Sequence, residues 1–255
     1  MPSNNGLLNE LQIAGSIDGK KLCEINLNLQ TMIRMIFPGA SANDVIESKQ
    51  YDDVYKPDIY IKWHDQVRNI SVKMGHSNEV HSEEITSFIE FLRSKGVSQE
   101  TLDTILLNHF GDGTTDGTGT KRMNTMELTF AYKDKIKKAN DELNNNRDVI
   151  MAVFERTMVQ GLDPQARKVD YFYFGTPDYG NLTCYHQIST YIHKKCWTYF
   201  NCLHIGPIFL KPRARYVDKE IVSEYRRHLC IFYWPNLAED IDYIGHRFTF
   251  VSTPN

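Results

Sequence analysis

The sequence lacks any long hydrophobic run. A membrane-spanning helix needs about 20 consecutive apolar residues, and the 255 residues contain no such run. The opening residues MPSNNGLLNELQ also lack the basic flank and apolar core of a secretory signal. The composition, 41% hydrophobic and 24% charged, is typical of a soluble globular chain. The sequence therefore predicts a cytoplasmic protein with no membrane partner.

Cysteine is scarce and follows no recognised metal pattern. The chain has five cysteines, an odd number, at Cys23, Cys184, Cys196, Cys202 and Cys230. Without a secretory signal, such a set indicates reduced thiols rather than a disulfide framework. No pair has the C-x2-C or H-x3-H spacing that places two zinc ligands on one turn or one helix face. A structural zinc site is therefore not expected.

Net charge is low but unevenly distributed. Residues 1–120 contain 10 Lys+Arg against 17 Asp+Glu, and residues 121–255 contain 19 against 15, so the halves carry −7 and +4. An acidic half suits a bound cation and a basic half suits a polyanion. Uneven surface charge alone would give the same numbers, so this pattern needs support from specific residues.

Hydrophobic periodicity predicts helices in the first two thirds of the chain. The predicted segments are an amphipathic helix over Cys23–Phe37, a short helix or turn over SANDVIESK, and helices over 81–96, 98–110, 124–143 and 144–161. Asn124 and Glu127 predict a capping box. Residues 111–122, rich in glycine and threonine, predict a flexible loop.

After Pro164 the sequence becomes rich in aromatic and β-branched residues, which favour strands. The predicted strands are VDYFYF, LTCYHQISTYI, CWTYFNCLHIG, IFLKPRARYV and RRHLCIFYW. A chain of this length can form a single domain. We expect one domain over 1–255, with core elements in 1–110, a loop and helices in 111–165, and a β-rich region in 166–255.

The segment KPDIYIKWHDQVRNISVKMG, residues 56–75, predicts a β-hairpin with a carboxylate near one end and a lysine near the other. If Asp65 and Gln66 form the loop, Asp58 lies opposite Lys73 on one side of the sheet. The turn lacks Asn-Gly or Asp-Gly, so another loop length would shift this register. In every case the two charges can approach each other. A solvated surface ion pair is the alternative interpretation.

A carboxylate beside a lysine at a strand end suits Mg²⁺-assisted hydrolysis of a phosphodiester. Mg²⁺ prefers carboxylate and carbonyl oxygens and keeps several waters, so Asp58 and the carbonyl of Val72 could be ligands. Lys73 could orient or deprotonate the attacking water and offset charge in the transition state. This chemistry requires one more carboxylate.

The hairpin resembles the catalytic motif of the PD-(D/E)XK nuclease superfamily, which includes most type II restriction endonucleases. Pro57-Asp58 matches the PD, and Ser71-Val72-Lys73 lies where (D/E)-x-K is expected. Ser71 departs from the pattern, because a hydroxyl cannot replace a charged ligand. The resemblance covers roughly residues 20–95.

Some restriction enzymes with serine at this place take the carboxylate from the following helix. The resemblance then implies a ligand among Glu79, Glu83 and Glu84, and Glu83 is favoured because His81 would pair with it at the helix start. Glu84 is the main rival. The superfamily also often uses a glutamate on the preceding helix, where Glu24 is better placed than Glu47. A second Pro-Asp pair, Pro177-Asp178, has no lysine closing a hairpin and predicts only a turn.

The resemblance implies an α/β fold with a restriction-endonuclease-like mixed central sheet flanked by helices, here with a β-rich C-terminal extension. It also implies a homodimer that cuts double-stranded DNA at a specific site, with Mg²⁺ as cofactor and Mn²⁺ as a substitute. The catalytic residues would be Asp58, Ser71, Lys73, Glu83 and Glu24. A structure-specific repair or recombination nuclease of the same superfamily, and a catalytically inactive DNA-binding protein, are the alternatives.

Basic residues in the second half are candidates for DNA contact. Arginine and lysine bind phosphates, and the arginine fork also matches guanine edges. The candidates are Lys121 and Arg122, which leave the glycine-rich loop, and Lys211, Arg213, Arg215, Arg226 and Arg227. The loop itself matches neither a P-loop nor a dinucleotide-binding fingerprint. Ordinary solvation is the alternative for each of these side chains.

Overall fold

The structure is a computed structural model that describes residues 5–51, 56–74, 78–119, 122–163, 165, 167–199, 202–214 and 224–248. Contacts between Cα atoms divide the chain into two compact units. Unit one comprises the described residues of Met1–Ser77, Met158–Tyr191 and Leu237–Asn255, and unit two those of Asn78–Thr157 and Ile192–Asn236. The units alternate along the chain, so their limits differ from the expected subregions 1–110, 111–165 and 166–255. A single domain over 1–255 stays a prediction.

The described residues form a mixed α/β structure. Its first half contains α1 (Asn5–Ile17), β1 (Lys20–Lys21), a 3-10 turn (Leu22–Glu24), α2 (Leu27–Ile36), β2 (Val45–Gln50), β3 (Ile59–Trp63), β4 (Gln66–Lys73), β5 (Glu79–Glu84), α3 (Ile85–Ser94) and α4 (Gln99–Phe110). Its second half contains α5 (Thr125–Ala131), α6 (Lys133–Asn145), α7 (Arg147–Phe154), a π-helical turn (Glu155–Gln160), β6 (Tyr171–Gly175), β7 (Gly180–Cys184), α8 (Tyr185–Lys194), β8 (His204–Ile205), β9 (Ile208–Pro212), α9 (Glu224–His228), β10 (Leu229–Tyr233) and α10 (Leu237–Phe248).

Unit one is built on a six-stranded mixed sheet of order β1-β2-β3-β4-β6-β7. Neighbouring strands are antiparallel except β4 and β6, which run parallel. Helix α1 packs on β2 and β3, and α10 packs on β7. The core gathers apolar side chains from α1, α2 and the strands, including Ile59, Ile61, Ile70 and Val72. The predicted mixed sheet flanked by helices is therefore confirmed.

Unit two contains a four-stranded antiparallel sheet of order β5-β10-β9-β8. Helices α3 and α4 pack together, as do α4 and α6. Ser98 caps α4 by accepting from the amide of Thr101, and Asn124 and Glu127 form the predicted capping box of α5. No helix in the described part of the chain is long and apolar enough to cross a membrane.

Several sequence predictions about these elements are wrong. Within the described part of CWTYFNCLHIG, only His204–Ile205 forms a strand. SANDVIESK contains a turn at residues 42–43, but its second half forms strand β2, because Ile46 and Ser48 alternate inward along the sheet. YHQISTYIHK forms helix α8, where Ile188 and Ile192 are buried one turn apart. The C-terminal region is therefore mixed rather than β-rich. HSEE ends strand β5 rather than opening a helix, because β5 pairs with β10.

Candidate active site at the Asp58–Lys73 hairpin

Strands β3 and β4 form the predicted hairpin, with His64 and Asp65 as its two-residue loop. His64 adopts φ +51°, a left-handed conformation that tight hairpin loops require. Trp63 then pairs with Gln66 and Ile59 with Ile70. This register differs by two residues from the one that a loop of Asp65 and Gln66 would have given. A shift of two preserves the faces of the sheet, so Asp58 and Lys73 remain on one side.

The carboxylate of Asp58 is anchored through one oxygen. Oδ2 accepts from the Ser71 hydroxyl at 2.9 Å, the Val72 amide at 2.6 Å and the Lys73 ammonium at 3.2 Å. The main chain holds the same residue, since the Asp58 amide donates to the carbonyl of Ile70 at 2.9 Å. Within the described residues, no protein group donates to Oδ1. The carboxylate is thus rigidly held with one oxygen available to a ligand.

Lys73 closes this arrangement at the end of β4. Its ammonium lies 3.2 Å from Asp58 Oδ2 and donates to the Val72 carbonyl at 3.0 Å. Each side chain of the ion pair is 20% exposed, which leaves both partly accessible to solvent. The ion pair is therefore partly buried: it is neither fully solvated nor fully buried. This partial access suits a site that must admit water and a substrate.

Ser71 orients Asp58 and does not replace a carboxylate. Its side chain is 1% exposed, and its hydroxyl donates to Asp58 Oδ2. Alternation along β4 directs Ile70 and Val72 into the core and Ser71 toward Asp58. The hydroxyl offers no negative charge of its own, so Asp58 is the sole carboxylate in this set of contacts.

Lys56 is a residue of this region that the sequence analysis missed. Burial and the positive charge of Lys73 together lower the pKa of its ammonium to about 7, although the carboxylate of Asp58 partly offsets them. The side chain is half-buried. The position of Lys56 directly before Pro57-Asp58 could have indicated a role in the site. Nothing else in the sequence distinguished it from an ordinary solvated lysine. Two lysine side chains thus act electrostatically on Asp58, and Lys56 is only partly protonated near neutral pH.

The oxygen donors at the hairpin end fit a hard cation. Asp58 Oδ1 and the Val72 carbonyl are the ligand types that Mg²⁺ prefers, with water completing the octahedron. The described residues contain no group of three or more His, Cys, Asp or Glu that could hold a metal ion. A cation here would therefore depend on water, on the substrate or on a further carboxylate.

Glu83, the predicted second carboxylate, belongs to unit two. It lies in β5, opposite Cys230 of β10, and is 3% exposed. The prediction that it begins a helix is wrong, because strand pairing extends through Glu84 and α3 begins at Ile85. Glu83 therefore occupies an inward position of a sheet.

Both carboxylate oxygens of Glu83 bind Arg156. Nε donates to Oε1 at 2.9 Å and Nη2 to Oε2 at 2.6 Å, a bidentate pair. The predicted His81 partner is present, with Nε2 3.6 Å from Oε1. Burial alone would raise the pKa of Glu83, but His81 and Arg156 outweigh it and hold the pKa below its usual value. Arg156 lies in a π-helical turn, a rare local structure that is frequent at functional sites.

The other candidate glutamates are each placed differently. Glu79 begins β5 and accepts from Arg213 at 3.3 Å, and Glu84 is exposed just before α3. Glu24 is exposed in the 3-10 turn, where it accepts from the Lys21 amide at 3.0 Å. The predicted helix placement of Glu24 is wrong, because Asn26 caps α2 and starts it at Leu27. Glu47 forms a 3.0 Å ion pair with Lys62 across β2 and β3.

Five of the seven predicted DNA-contact residues lie within the described chain. Lys121 and Arg215 lie outside the described residues. Arg122 Nη1 donates to the carbonyl of Ala214 at 3.2 Å, and Arg227 Nη2 donates to that of Gly117 at 3.1 Å. These two arginines therefore support the glycine-rich loop and its neighbourhood.

The other three described candidates are more open. The ammonium of Lys211 lies 3.8 Å from the ring centroid of Tyr233, Arg213 contacts Glu79, and Arg226 is exposed. DNA contact by any of these residues stays a prediction. No protein-family model and no curated protein matches the chain.

Proposed function

We propose that the protein is a Mg²⁺-dependent endonuclease that hydrolyses phosphodiester bonds of double-stranded DNA at the end of the β3–β4 hairpin. The observation that carries this proposal is the fixed carboxylate of Asp58, with Oδ2 held by three donors and Oδ1 available beside Lys73. Three donors on one oxygen exceed what a simple surface ion pair requires. Such positioning suits a group that must present one oxygen in a constant direction.

In this proposal the chain's own groups have distinct tasks. Asp58 and the Val72 carbonyl would hold the cation, and Ser71 and the Val72 amide keep the carboxylate oriented. Bound Mg²⁺ would polarise the scissile phosphate and activate water. Lys73 would position that water, accept its proton or offset negative charge on the phosphate. The further carboxylate that the motif implies stays a prediction, because its candidates Glu83, Glu84 and Glu79 belong to unit two and Asp58 to unit one.

The mixed sheet of unit one supports an assignment to the PD-(D/E)XK superfamily. A hairpin carrying Asp58 and Lys73 next to a parallel strand, β6, is compatible with the restriction-endonuclease-like core that the motif implies. By the same analogy the enzyme would act as a homodimer on a symmetric site in the cytoplasm and accept Mn²⁺ in place of Mg²⁺. The dimer, the symmetric site and the use of Mn²⁺ are inferred from the resemblance to this superfamily and not from the fold itself.

The test is digestion of circular plasmid DNA by the full-length protein with Mg²⁺, with Mn²⁺ and with EDTA. We expect discrete fragments with either cation and none with EDTA, and sequencing should show 5′-phosphate ends. A smear, or cutting confined to branched substrates, would favour a structure-specific nuclease of the same superfamily. Absence of cleavage with both cations would overturn the proposal.

The bidentate pairing of Glu83 with Arg156 favours a second candidate function. A buried carboxylate already neutralised by an arginine is a poor cation ligand, and Ser71 supplies no carboxylate. This pairing is compatible with a DNA-binding protein that does not catalyse cleavage. Binding of DNA with no cleavage by the wild-type protein would identify this candidate.

A further inference from the structure

Unit two contains a cavity of about 390 Å³. It lies beside helix α6 and the segment that leads into β8, and its lining includes Asn140, Asn144, Arg147, Trp197, Tyr199 and His204. Pockets that bind small molecules span roughly 300–1,000 Å³. The cavity is therefore large enough for one small ligand. None of its lining residues belongs to the hairpin site.

One side of the cavity is aromatic. The rings of Trp197 and Tyr199 are stacked, with centroids 6.4 Å apart and an interplanar angle of 25°. His204 meets Tyr199 edge to face, with centroids 5.0 Å apart at 88°. Aromatic rings prefer such stacked and perpendicular arrangements with one another. A planar ring entering the cavity would find both geometries already present.

The two asparagines of the lining, Asn140 and Asn144, are held in place by hydrogen bonds to the backbone. Asn140 donates to the Cys202 carbonyl at 2.8 Å and accepts from the His204 amide at 3.2 Å. Asn144 donates to the His204 carbonyl at 3.0 Å and accepts from the Gly206 amide at 2.7 Å. The two amides thus hold β8 against α6 through four bonds. The cavity is formed in advance, so a ligand would not have to order its walls.

The imidazole of His204 is uncharged near neutral pH. Burial lowers its pKa, an effect that outweighs the opposing hydrogen bond with the Gly206 carbonyl. Nδ1 lies 3.0 Å from that carbonyl, and Nε2 accepts from the Tyr199 amide at 3.4 Å. The His204 side of the cavity is therefore neutral, whereas the Lys195 ammonium lies 4.4 Å from the centroid of the Trp197 ring. Trp197 is 5% exposed and Tyr199 is half-buried, so Tyr199 is the more accessible of the two rings.

Positive charge lies at other points of the lining. The Lys137 ammonium lies 2.7 Å from an Asp141 oxygen, whereas within the described residues neither Lys133 nor Arg147 forms an ion pair with a carboxylate. Arg147 is held in place because its Nη1 donates to the Lys195 carbonyl at 2.7 Å. Lys133 and Arg147 lie at opposite ends of α6, a helix of 13 residues that is about 20 Å long, so one anionic group can contact only one of them. Arg147 already donates to the Lys195 carbonyl and to Cys196 Sγ, so the exposed Lys133 is the cation that suits an anionic group.

We propose that this cavity binds one nucleotide unit, with the base against Tyr199 and the phosphate near Lys133. A planar ring that carries an anionic group matches both halves of the lining. The unit could be a free nucleoside monophosphate or one nucleotide of a single strand, and both present the same chemistry. The proposal does not depend on nuclease activity, since it rests on residues of unit two alone.

The test is isothermal titration calorimetry, which measures the affinity of the protein for each ligand. The ligands are the four ribonucleoside monophosphates, the matching nucleosides and inorganic phosphate. We expect the best monophosphate to bind at least about tenfold more tightly than its nucleoside and than phosphate, a factor equivalent to about 1.4 kcal/mol. A short single-stranded oligonucleotide distinguishes the sources. If it displaces the mononucleotide, the occupant is a strand; if it does not, the occupant is a free nucleotide.

Two substitutions localise the binding. Lys133→Glu reverses an exposed charge of the lining, and Tyr199→Leu removes an aromatic face while Tyr199→Phe keeps it. Lys133→Glu and Tyr199→Leu should each weaken binding about tenfold or more, whereas Tyr199→Phe and the control Lys135→Glu, on the same helix outside the lining, should not. Thermal unfolding identifies any variant that fails to fold. If Tyr199→Leu does not fold, the binding affinity of Lys133→Glu alone tests the proposal.

Three results would overturn the proposal. The first is no binding of any monophosphate at millimolar concentration. The second is binding that Lys133→Glu leaves unchanged. The third is equal weakening by Lys133→Glu and Lys135→Glu, which would indicate general charge attraction. Asp58→Ala should bind the nucleotide normally, so failure of the nuclease proposal and failure of this one are distinguishable.

Discussion

The amide of Val72 donates a 2.6 Å hydrogen bond to Oδ2 of Asp58. This bond links the two strands of the hairpin at the point where Ser71 and Lys73 also contact the carboxylate. A main-chain donor cannot rotate away as a side chain can, so it fixes the direction of Oδ1. The catalytic proposal depends on this constraint more than on the ion pair with Lys73.

Substitution of Ser71 by glutamate tests whether a cation can occupy the hairpin end. A second carboxylate beside Asp58 would repel it, because Ser71 is buried against Asp58 Oδ2. In EDTA we expect Ser71→Glu to unfold at a lower temperature than the neutral control Ser71→Gln. A loss of about 1 kcal/mol corresponds to roughly 2–4 °C at this chain length.

Addition of Mg²⁺ should raise the unfolding temperature of Ser71→Glu more than that of Ser71→Gln. Differential scanning fluorimetry with and without the cation measures both effects. Equal responses of the two variants to Mg²⁺ would show that no cation binds next to residue 71.

The Glu83–Arg156 pair is expected to be essential for folding of unit two. Removal of one partner leaves a buried charge uncompensated, which costs roughly 3–5 kcal/mol. Glu83→Leu and Arg156→Met should each lower the free energy of unfolding by that amount in urea titrations. The double variant Glu83→Leu/Arg156→Met should recover most of it, because a buried ion pair can be replaced by apolar side chains.

The double variant also separates a structural from a catalytic role of Glu83. If it folds and cuts DNA at the wild-type rate, Glu83 is not the second carboxylate. Glu84→Gln and Glu79→Gln are then the next variants to assay. If the folded double variant is inactive, the Glu83–Arg156 pair is required for cleavage itself.

Glu142 should make the stability of unit two depend on pH. Burial alone would raise its pKa, but the hydroxyls of Ser98 and Thr101 and the Ser98 amide outweigh it and hold the pKa below 4.5. A carboxylate with a lowered folded-state pKa stabilises the fold above the unfolded value and loses that stabilisation as pH falls through the folded one. Glu142→Gln should therefore cost more stability at pH 7 than at pH 3 in urea titrations. A cost independent of pH would contradict this account.

Arg226 is the exposed candidate with which phosphate contact can be tested most cleanly. Substitution to alanine should weaken DNA binding and reduce the slope of log affinity against log salt by about 0.9, the value for one phosphate. Fluorescence anisotropy in EDTA measures binding without cleavage. Arg93→Ala, an exposed arginine paired with Glu90, is the control. An unchanged slope in Arg226→Ala would remove this residue from the DNA surface.

Local signals predicted the elements whose formation depends on nearby residues. Ser98 capped α4 as expected, and Gly161 follows the last helical segment of the middle region. The hairpin was also predictable, because Ile59 and Ile61 alternate inward along β3. Its register was not, since that required knowing that His64 adopts a left-handed conformation.

Elements that depend on distant partners were mispredicted. Strand β5 exists because it pairs with β10, and no local pattern in HSEE indicates this. Strand β2 buries Ser48 where an apolar residue would have revealed the alternation. In α8 the aromatic and β-branched composition favoured a strand, although Ile188 and Ile192 had helical spacing. The pairing of Glu83 with Arg156 could not be predicted either, because the two residues come from separate segments of the chain.

The most direct measurement of the central claim is the rate of plasmid cleavage in Mg²⁺ by the wild type, Asp58→Ala, Lys73→Ala and Lys49→Ala. Lys49 is an exposed lysine of β2 in the same sheet and serves as the matched control. We predict that Asp58→Ala and Lys73→Ala each slow cleavage on the order of 10²- to 10⁴-fold while remaining folded, and that Lys49→Ala does not. Cleavage at the wild-type rate by folded Asp58→Ala or Lys73→Ala would contradict the account.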